Sequence, residues 1–403
     1  MSKKLFITSI VLLVIISGAI FVYFKTPKPE SSGTRDVVPG VTATEIIVGS
    51  SSALSGQIGY LGSAYIKGAM TRINQINEEG GIYGRKIRVI AYDDQYDPAK
   101  CVVNTQKLIE EDKVFALFNY TGTPTAVKII PMVEEKKIPL VGLLTGANTL
   151  REPFRKYIFN IRASYYQEIE LAVNYFTEDL RLKKIGVFYQ ADAYGLDGLE
   201  GVRIALQKKG KELITAVSYV RGTMDVEEAV EAIVNSGAEA VTMVGTSSPS
   251  AKFVKLVKQK KPGMLFHSVS FVGPEEFMKD LEGSTENVFV TQVVPPVNEY
   301  EAKLFEGVAL YRNALKKYYP GENPSFGGGE GFINARILIE ALRRSGKDLT
   351  REKFMESLES IKDYSVGMGS AVSFGPNDHQ GIDSVYLTII KDGKFTLFFS
   401  PPH

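Results

Sequence analysis

The chain has 403 residues, 44% of them hydrophobic and 23% charged, with 47 Lys and Arg against 46 Asp and Glu. That length suits two or three domains with sizeable cores, and that composition excludes collagen-like, low-complexity and polytopic membrane chains. The balanced charge lacks the basic excess of a duplex-binding surface, so no nucleic-acid partner is expected.

Lys3 and Lys4 precede Leu5 to Phe24, an uncharged and largely apolar run long enough to cross a bilayer once as a helix. A secretory signal has a shorter apolar core followed by a small-x-small cleavage site. Here the one candidate, Ser17-Gly18-Ala19, sits inside the run. Residues 1–24 therefore read as a transmembrane anchor, with a cleaved signal as the alternative. In either case the rest faces the periplasm or the cell exterior, since the basic start favours a cytoplasmic N-terminus. Residues 25–44, rich in Pro, Ser, Gly and charge at first, read as a linker.

From Glu45 onward short β-branched runs alternate with segments of helical period. The spacing predicts strands at 45–50, 86–92, 114–119 and 138–144, separated by helices. Asp97-Pro98 supplies a capping residue and a first-turn proline for one of these helices. The alternation resumes with a helix over 165–180 and strands at 184–190, 213–220, 240–244, 265–269 and 288–291. This pattern predicts an α/β fold of two doubly wound parallel-sheet lobes. A long helix near 300–319, helices over 331–344 and 350–360, and a hairpin turning at Asp392-Gly393 break the rhythm. They suggest that the chain returns to the first lobe and crosses again. The expected divisions are 45–162 for lobe 1, 163–290 for lobe 2, 291–368 for the return and 369–403 for terminal strands on lobe 2.

Ligands of such sheets sit beyond the carboxyl ends of the strands. Three first-lobe loops there combine hydroxyls with glycine: 51–60, 120–125 and 145–148. Thr123 and Thr145 could receive a carboxylate at a helix N-terminus, or simply cap the helices. In the second lobe Tyr189 to Gly195 follows a strand, with Asp192 reading as a cap, and Thr246 opens a polar, uncharged loop. No phosphate loop, dinucleotide fingerprint or nucleophile elbow occurs. Cys101 reads as a packed thiol in a helix, and the lone cysteine leaves no internal disulfide and no Cys-rich metal site. His267, His379 and His403 show no metal-ligand spacing. No enzymatic activity, metal or cofactor is expected.

GVTATEIIVGSSSALSG (Gly40 to Gly56), INEEGGIYGRKIRVIAYDDQYDP (Ile76 to Pro98) and KLIEEDKVFALFNYTGTPTA (Lys107 to Ala126) resemble the leucine/isoleucine/valine-type substrate-binding proteins of ABC importers. IPLVGLLTGA (Ile138 to Ala147) and KKIGVFYQADAYG (Lys183 to Gly195) extend the resemblance. It implies the periplasmic binding protein type I fold, in which two lobes joined by three crossovers close on a ligand. Carried over, the carboxylate-holding loops fall on Gly122 and Thr123 and on Thr145, Gly146 and Ala147, and a cleft tyrosine falls on Tyr194. The family's amino-acid receptors place an acid for the ligand ammonium in the loop that here reads Thr246-Ser247-Ser248-Pro249-Ser250. Its absence argues against an α-amino acid, because a buried ammonium needs an anion. The sequence is closer to the branch that takes aromatic carboxylates, with Tyr60, Tyr120, Tyr166, Tyr189, Tyr194 and Phe271 as candidate ring contacts or as lobe core. The implied partners are a small carboxylate, either an amino acid or an aromatic or aliphatic carboxylate, and an ABC permease. The alternative is an anchored sensor that reports occupancy to a membrane partner.

Overall fold

A computed structural model describes residues 38–399, so the anchor or signal segment and most of the linker lie outside the described residues. Among the described residues no helix is long and apolar enough to cross a membrane. Residues 38–44, assigned above to the linker, are instead tied to the first sheet. Gly40 accepts from Ile47 N–H at 2.8 Å and lies so close to Phe115 that a side chain there has no room.

Lobe 1 is built on β1 (Glu45–Ser52), β2 (Lys86–Asp93), β3 (Ala116–Thr121), β4 (Leu140–Leu144) and β5 (Ile158–Phe159), all parallel in the order β2-β1-β3-β4-β5. β3 and β4 are buried along their whole length, as expected for parallel strands covered on both faces. The covering helices are α1 (Gly59–Glu78), α2 (Pro98–Glu110) and α3 (Thr123–Glu135). Asp97 caps α2 by accepting from Ala99 N–H at 2.8 Å, and Pro98 follows it, as the sequence pattern requires.

Lobe 2 repeats the plan with β6 (Ile185–Gln190), β7 (Thr215–Tyr219), β8 (Ala240–Val244), β9 (Leu265–Ser268) and β10 (Val288–Gln292), in the parallel order β7-β6-β8-β9-β10. Its helices are α4 (Tyr165–Asn174), α5 (Ala193–Lys208), α6 (Glu227–Asn235), α7 (Ser247–Lys260) and α8 (Pro274–Asp280). Where one helix over 165–180 was expected, α4 gives way to a π-helical turn over Tyr175–Asp179.

The chain then returns. α9 (Glu301–Leu304) and α10 (Glu306–Tyr318) replace the single long helix expected there, divided at Phe305, whose backbone is extended (φ −121°, ψ 110°). Gly307 N–H donates to Gly367 O at 2.7 Å, which ties the start of α10 to the segment joining β11 (Tyr364–Ser365) and β12 (Ala371–Val372). α11 (Phe326–Arg344) packs along α1 of lobe 1, followed by α12 (Arg351–Glu359). The α1–α11 approach requires glycine: a methyl on Gly68 would stand 1.9 Å from Gly328 O, and one on Gly331 2.0 Å from Tyr65 O. Finally β13 (Tyr386–Lys391) joins β10 antiparallel, and β14 (Lys394–Phe399) closes the sheet edge. Asp392 and Gly393 both have positive φ (51° and 68°), as a two-residue hairpin requires.

The chain thus passes between the sheets three times. The first and third passages run side by side: Asn160 N–H donates to His379 O and Gly381 N–H to Asn160 O, both at 2.8 Å. Ala163, Val293 and Val385, one from each passage, share a small apolar cluster. These three connecting passages form the hinge region between the two sheets.

Candidate functional site

Both sheets reverse their strand order beside their first strand, β1 in lobe 1 and β6 in lobe 2, and Tyr96 after β2 meets Gln190, Arg221 and Phe271 of lobe 2, so the strand-end crevices face each other. Gly122 ends β3 with φ 96° and begins α3, whose N-terminus receives no side-chain cap. The buried hydroxyls of Thr123 and Thr145 lie 2.7 Å apart beside it, and Thr145 Oγ1 accepts from Ala147 N–H at 3.2 Å. Opposite, α7 also begins without a side-chain cap. Thr246, its N-cap residue, turns its hydroxyl to Tyr219 Oη at 3.2 Å, and its N–H donates to the same oxygen at 3.0 Å. Tyr219 donates to Gln190 Oε1 at 2.9 Å.

Aromatic rings from both lobes meet beside these helix ends. Tyr96 of lobe 1 and Phe271 of lobe 2 have ring centroids 6.0 Å apart, Phe271 and Tyr194 4.9 Å, and Tyr194 and Tyr165 5.4 Å. Tyr96 leans on Gly122, where a methyl group would stand 2.3 Å from its Cε2. Burial holds Tyr96, Tyr194 and Tyr165 above the ordinary phenol range, so all three remain neutral. The arrangement offers hydroxyls and helix N-termini at the ends and ring faces between them, which suits a small anion carrying an apolar body.

The lobes are closed on each other. Tyr60 Oη donates to Val272 O at 3.0 Å, and Arg221 Nη1 donates to Tyr96 O at 3.0 Å. Asp197 of α5 accepts from Asn148 N–H at 3.0 Å and Thr149 N–H at 3.2 Å, and Glu275 of α8 accepts from Phe326 N–H at 2.8 Å. Burial raises the pKa of both carboxyls, Glu275 to about 7. At the hinge Arg162 lies between Glu168 of lobe 2, at 2.8 Å, and Glu330 of α11, at 3.3 Å. Glu168 also accepts from Ser270 N–H and Thr291 Oγ1 at 2.7 and 2.8 Å, so the network reaches the residue before Phe271.

Of the residues expected from sequence, Gly122, Thr123, Thr145, Gly146, Ala147, Tyr194, Thr246 and Phe271 stand at this cleft, and Tyr60 bridges its rim. Tyr120 and Tyr166 have other surroundings, and, among the described residues, Tyr189 borders the aromatic cluster without a side-chain hydrogen bond or ring contact to the cleft residues. Tyr120 packs with Cys101 and Leu108 behind the first sheet, its hydroxyl 3.0 Å from Thr105 Oγ1. Tyr166 lies against Gly201 of α5, and Tyr189 is half-buried against the core. Asp192 caps α5, accepting from Tyr194 N–H at 3.0 Å, and its other oxygen accepts from Gln190 Nε2 at 2.8 Å. The sequence reading missed Tyr96, Tyr165, Gln190, Tyr219 and Arg221. Gln190 and Tyr219 are the last residues of their strands, so the strand-end rule could have found them.

The family model for periplasmic binding proteins matches residues 45–394. Leu/Ile/Val-binding protein homolog 7 of Brucella suis biovar 1 is 22% identical over 371 residues, covering 89% of this chain and 92% of that protein. An amino acid binding protein of Pseudomonas aeruginosa is 24% identical over 218 residues, 54% of this chain and 58% of the relative. The crystal structure of a possible leucine/isoleucine/valine-binding protein from Rhodopirellula baltica SH 1 superposes with a TM-score of 0.83 at 30% identity, covering 90% of this chain and 98% of that one. A substrate-binding periplasmic protein from Ralstonia solanacearum gives 0.80 at 28% identity, covering 88% and 100%. With both sheets, the three passages and the facing strand ends in place, the chain belongs to the periplasmic binding protein family, as a member of its branched-chain amino acid type.

Proposed function

We propose that this protein captures a small carboxylate outside the cytoplasm, between its two lobes, and presents it to an ABC permease. The observation that carries this reading is the buried Thr123–Thr145 hydroxyl pair at the uncapped N-terminus of α3, facing the aromatic file of Tyr96, Phe271, Tyr194 and Tyr165. Neutral hydroxyls and backbone N–H groups at a helix start stabilise an anion without a counter-charge.

The second-lobe wall favours a ligand without an amino group. The loop 246–250 contributes no acid, and neighbouring carboxylates already have partners: Asp280 accepts from Ser247 and Ser248 hydroxyls at 2.7 and 2.8 Å, Asp192 caps α5, and Glu168 pairs with Arg162. A ligand ammonium there would be buried without an anion, which is costly. The apolar run 5–24 would tether the protein beside its permease and raise the rate of their encounter.

Thermal-shift binding of the purified protein to leucine, 4-methylpentanoate and benzoate tests this. The reading expects stabilisation by the carboxylates without an amino group, lost in the Thr123→Ala/Thr145→Ala double variant. Stabilisation by leucine alone, or by none of these, contradicts it.

A further inference from the structure

Lobe 2 opens with two adjacent tyrosines, and only the first faces the cleft. Ser164 and Gln167 form a reciprocal capping box that fixes Tyr165 as the first residue of α4. Its N–H donates across the lobe boundary to Gly146 O at 2.7 Å. Its ring is held tightly: a methyl on Gly146 would lie 2.6 Å from Cδ1, and the Arg162 guanidinium stands 5.7 Å from the ring centroid.

The hydroxyl at the end of this constrained ring stands out. It is fully buried with Thr145 Oγ1 and the Gly146 N–H as its polar neighbours, yet among the described residues neither makes a well-formed hydrogen bond with it. A buried O–H without a partner is destabilising, and native proteins keep such a group where something else completes it. Burial raises its pKa, so it stays protonated and can donate. The neighbouring cations are already engaged: Arg162 is shared between Glu168 and Glu330, and Arg151 donates to Ala147 O at 2.9 Å and Gln380 Oε1 at 2.6 Å. Recognition of an anion here therefore rests on neutral donors.

We propose that the Tyr165 hydroxyl donates the third hydrogen bond to the ligand carboxylate, beside Thr123 and Thr145, so that one anionic group is gripped by both lobes. This rests on the carboxylate reading above and deepens it. Thr123 and Thr145 belong to lobe 1 and Tyr165 to the first helix of lobe 2, so an occupied site stabilises the closed arrangement through the ligand itself. A primary amide offers one acceptor oxygen where a carboxylate offers two, so it cannot satisfy three donors equally.

The test uses the purified full chain and its Tyr165→Phe variant, which keeps the ring. Melting temperature is measured without ligand, and affinity is measured calorimetrically for benzoate and 4-methylpentanoate and for their primary amides. The proposal expects an unchanged or raised melting temperature without ligand, because no well-formed hydrogen bond is lost. It also expects about tenfold or greater weakening for the carboxylates, with a smaller loss for the amides. A lowered melting temperature with wild-type affinity would make the hydroxyl structural and overturn this inference alone. Failure of the wild type to bind either carboxylate overturns it together with the reading beneath it.

Discussion

Replacing Glu330 by glutamine isolates the consequence of holding one carboxyl in the hinge. Glu330 is 6% exposed, and its cation, Arg162, stands 3.3 Å away while its other nitrogen is committed to Glu168 at 2.8 Å. Burial raises the Glu330 pKa from 4.5 to about 7; Arg162 opposes this, and Glu168 and Glu275 add to it. A carboxyl raised in this way takes up a proton on folding, so its contribution to stability is complete below about pH 4.5 and is lost as the pH rises through about 7. The interval is about 2.5 pH units at ~1.4 kcal/mol per unit, which sets a ceiling of about 3 kcal/mol. Glutamine carries no proton to lose. In urea unfolding the Glu330→Gln variant should match the wild type at pH 5 and exceed it by up to about 3 kcal/mol at pH 8.5. A difference that stays flat with pH, or a variant less stable at pH 8.5, would show that Glu330 is ionised and that its pairing with Arg162 outweighs burial.

Three further outcomes follow from the same geometry. Asp197→Ala leaves the Asn148 and Thr149 N–H groups without their acceptor, removing charge-assisted bonds of about 1.5–3 kcal/mol each from the closed form. Its solution scattering should show a larger radius of gyration, and an unchanged radius would mean that the rim contact does not hold the lobes together. Gly146→Ala drives a methyl against Tyr165 and should cost about 1–3 kcal/mol, whereas Gly263→Ala, with no neighbour in reach, should be close to neutral. Equal effects would contradict the close packing at Tyr165. Burial pushes the Cys101 thiol up to about 12, so a thiol reagent at pH 8 should label it only after unfolding. Labelling of the native protein at the unfolded rate would contradict that placement.

The alternation of strand and helix was legible because the central strands of these sheets are buried on both faces and each helix keeps one apolar face. The Asp97 cap, the Asp192 cap and the Asp392-Gly393 hairpin could be read from local chemistry alone. The cleft was less legible where adjacent residues differ only in direction. Tyr165 and Tyr166 are neighbours in sequence, but about 100° apart around a helix, so one faces the cleft and the other packs on Gly201. Tyr120 precedes Thr121 at a strand end, and strand alternation turns its ring behind the sheet. Tyr96 was hidden in a stretch that reads as an acidic capping turn, and its left-handed backbone (φ 63°) carries no sequence signature. The split at Phe305 is accompanied by the Gly307–Gly367 hydrogen bond, a contact distant in sequence that periodicity does not encode.

The account depends most on the claim that the closed cleft recognises a carboxylate. Calorimetric titration of the purified protein with 4-methylpentanoate and, separately, with its primary amide measures this directly. The account predicts binding of the acid and at least tenfold weaker binding of the amide, because donors that meet two charged oxygens in the acid meet one neutral oxygen in the amide. Equal affinity for the acid and the amide would contradict it.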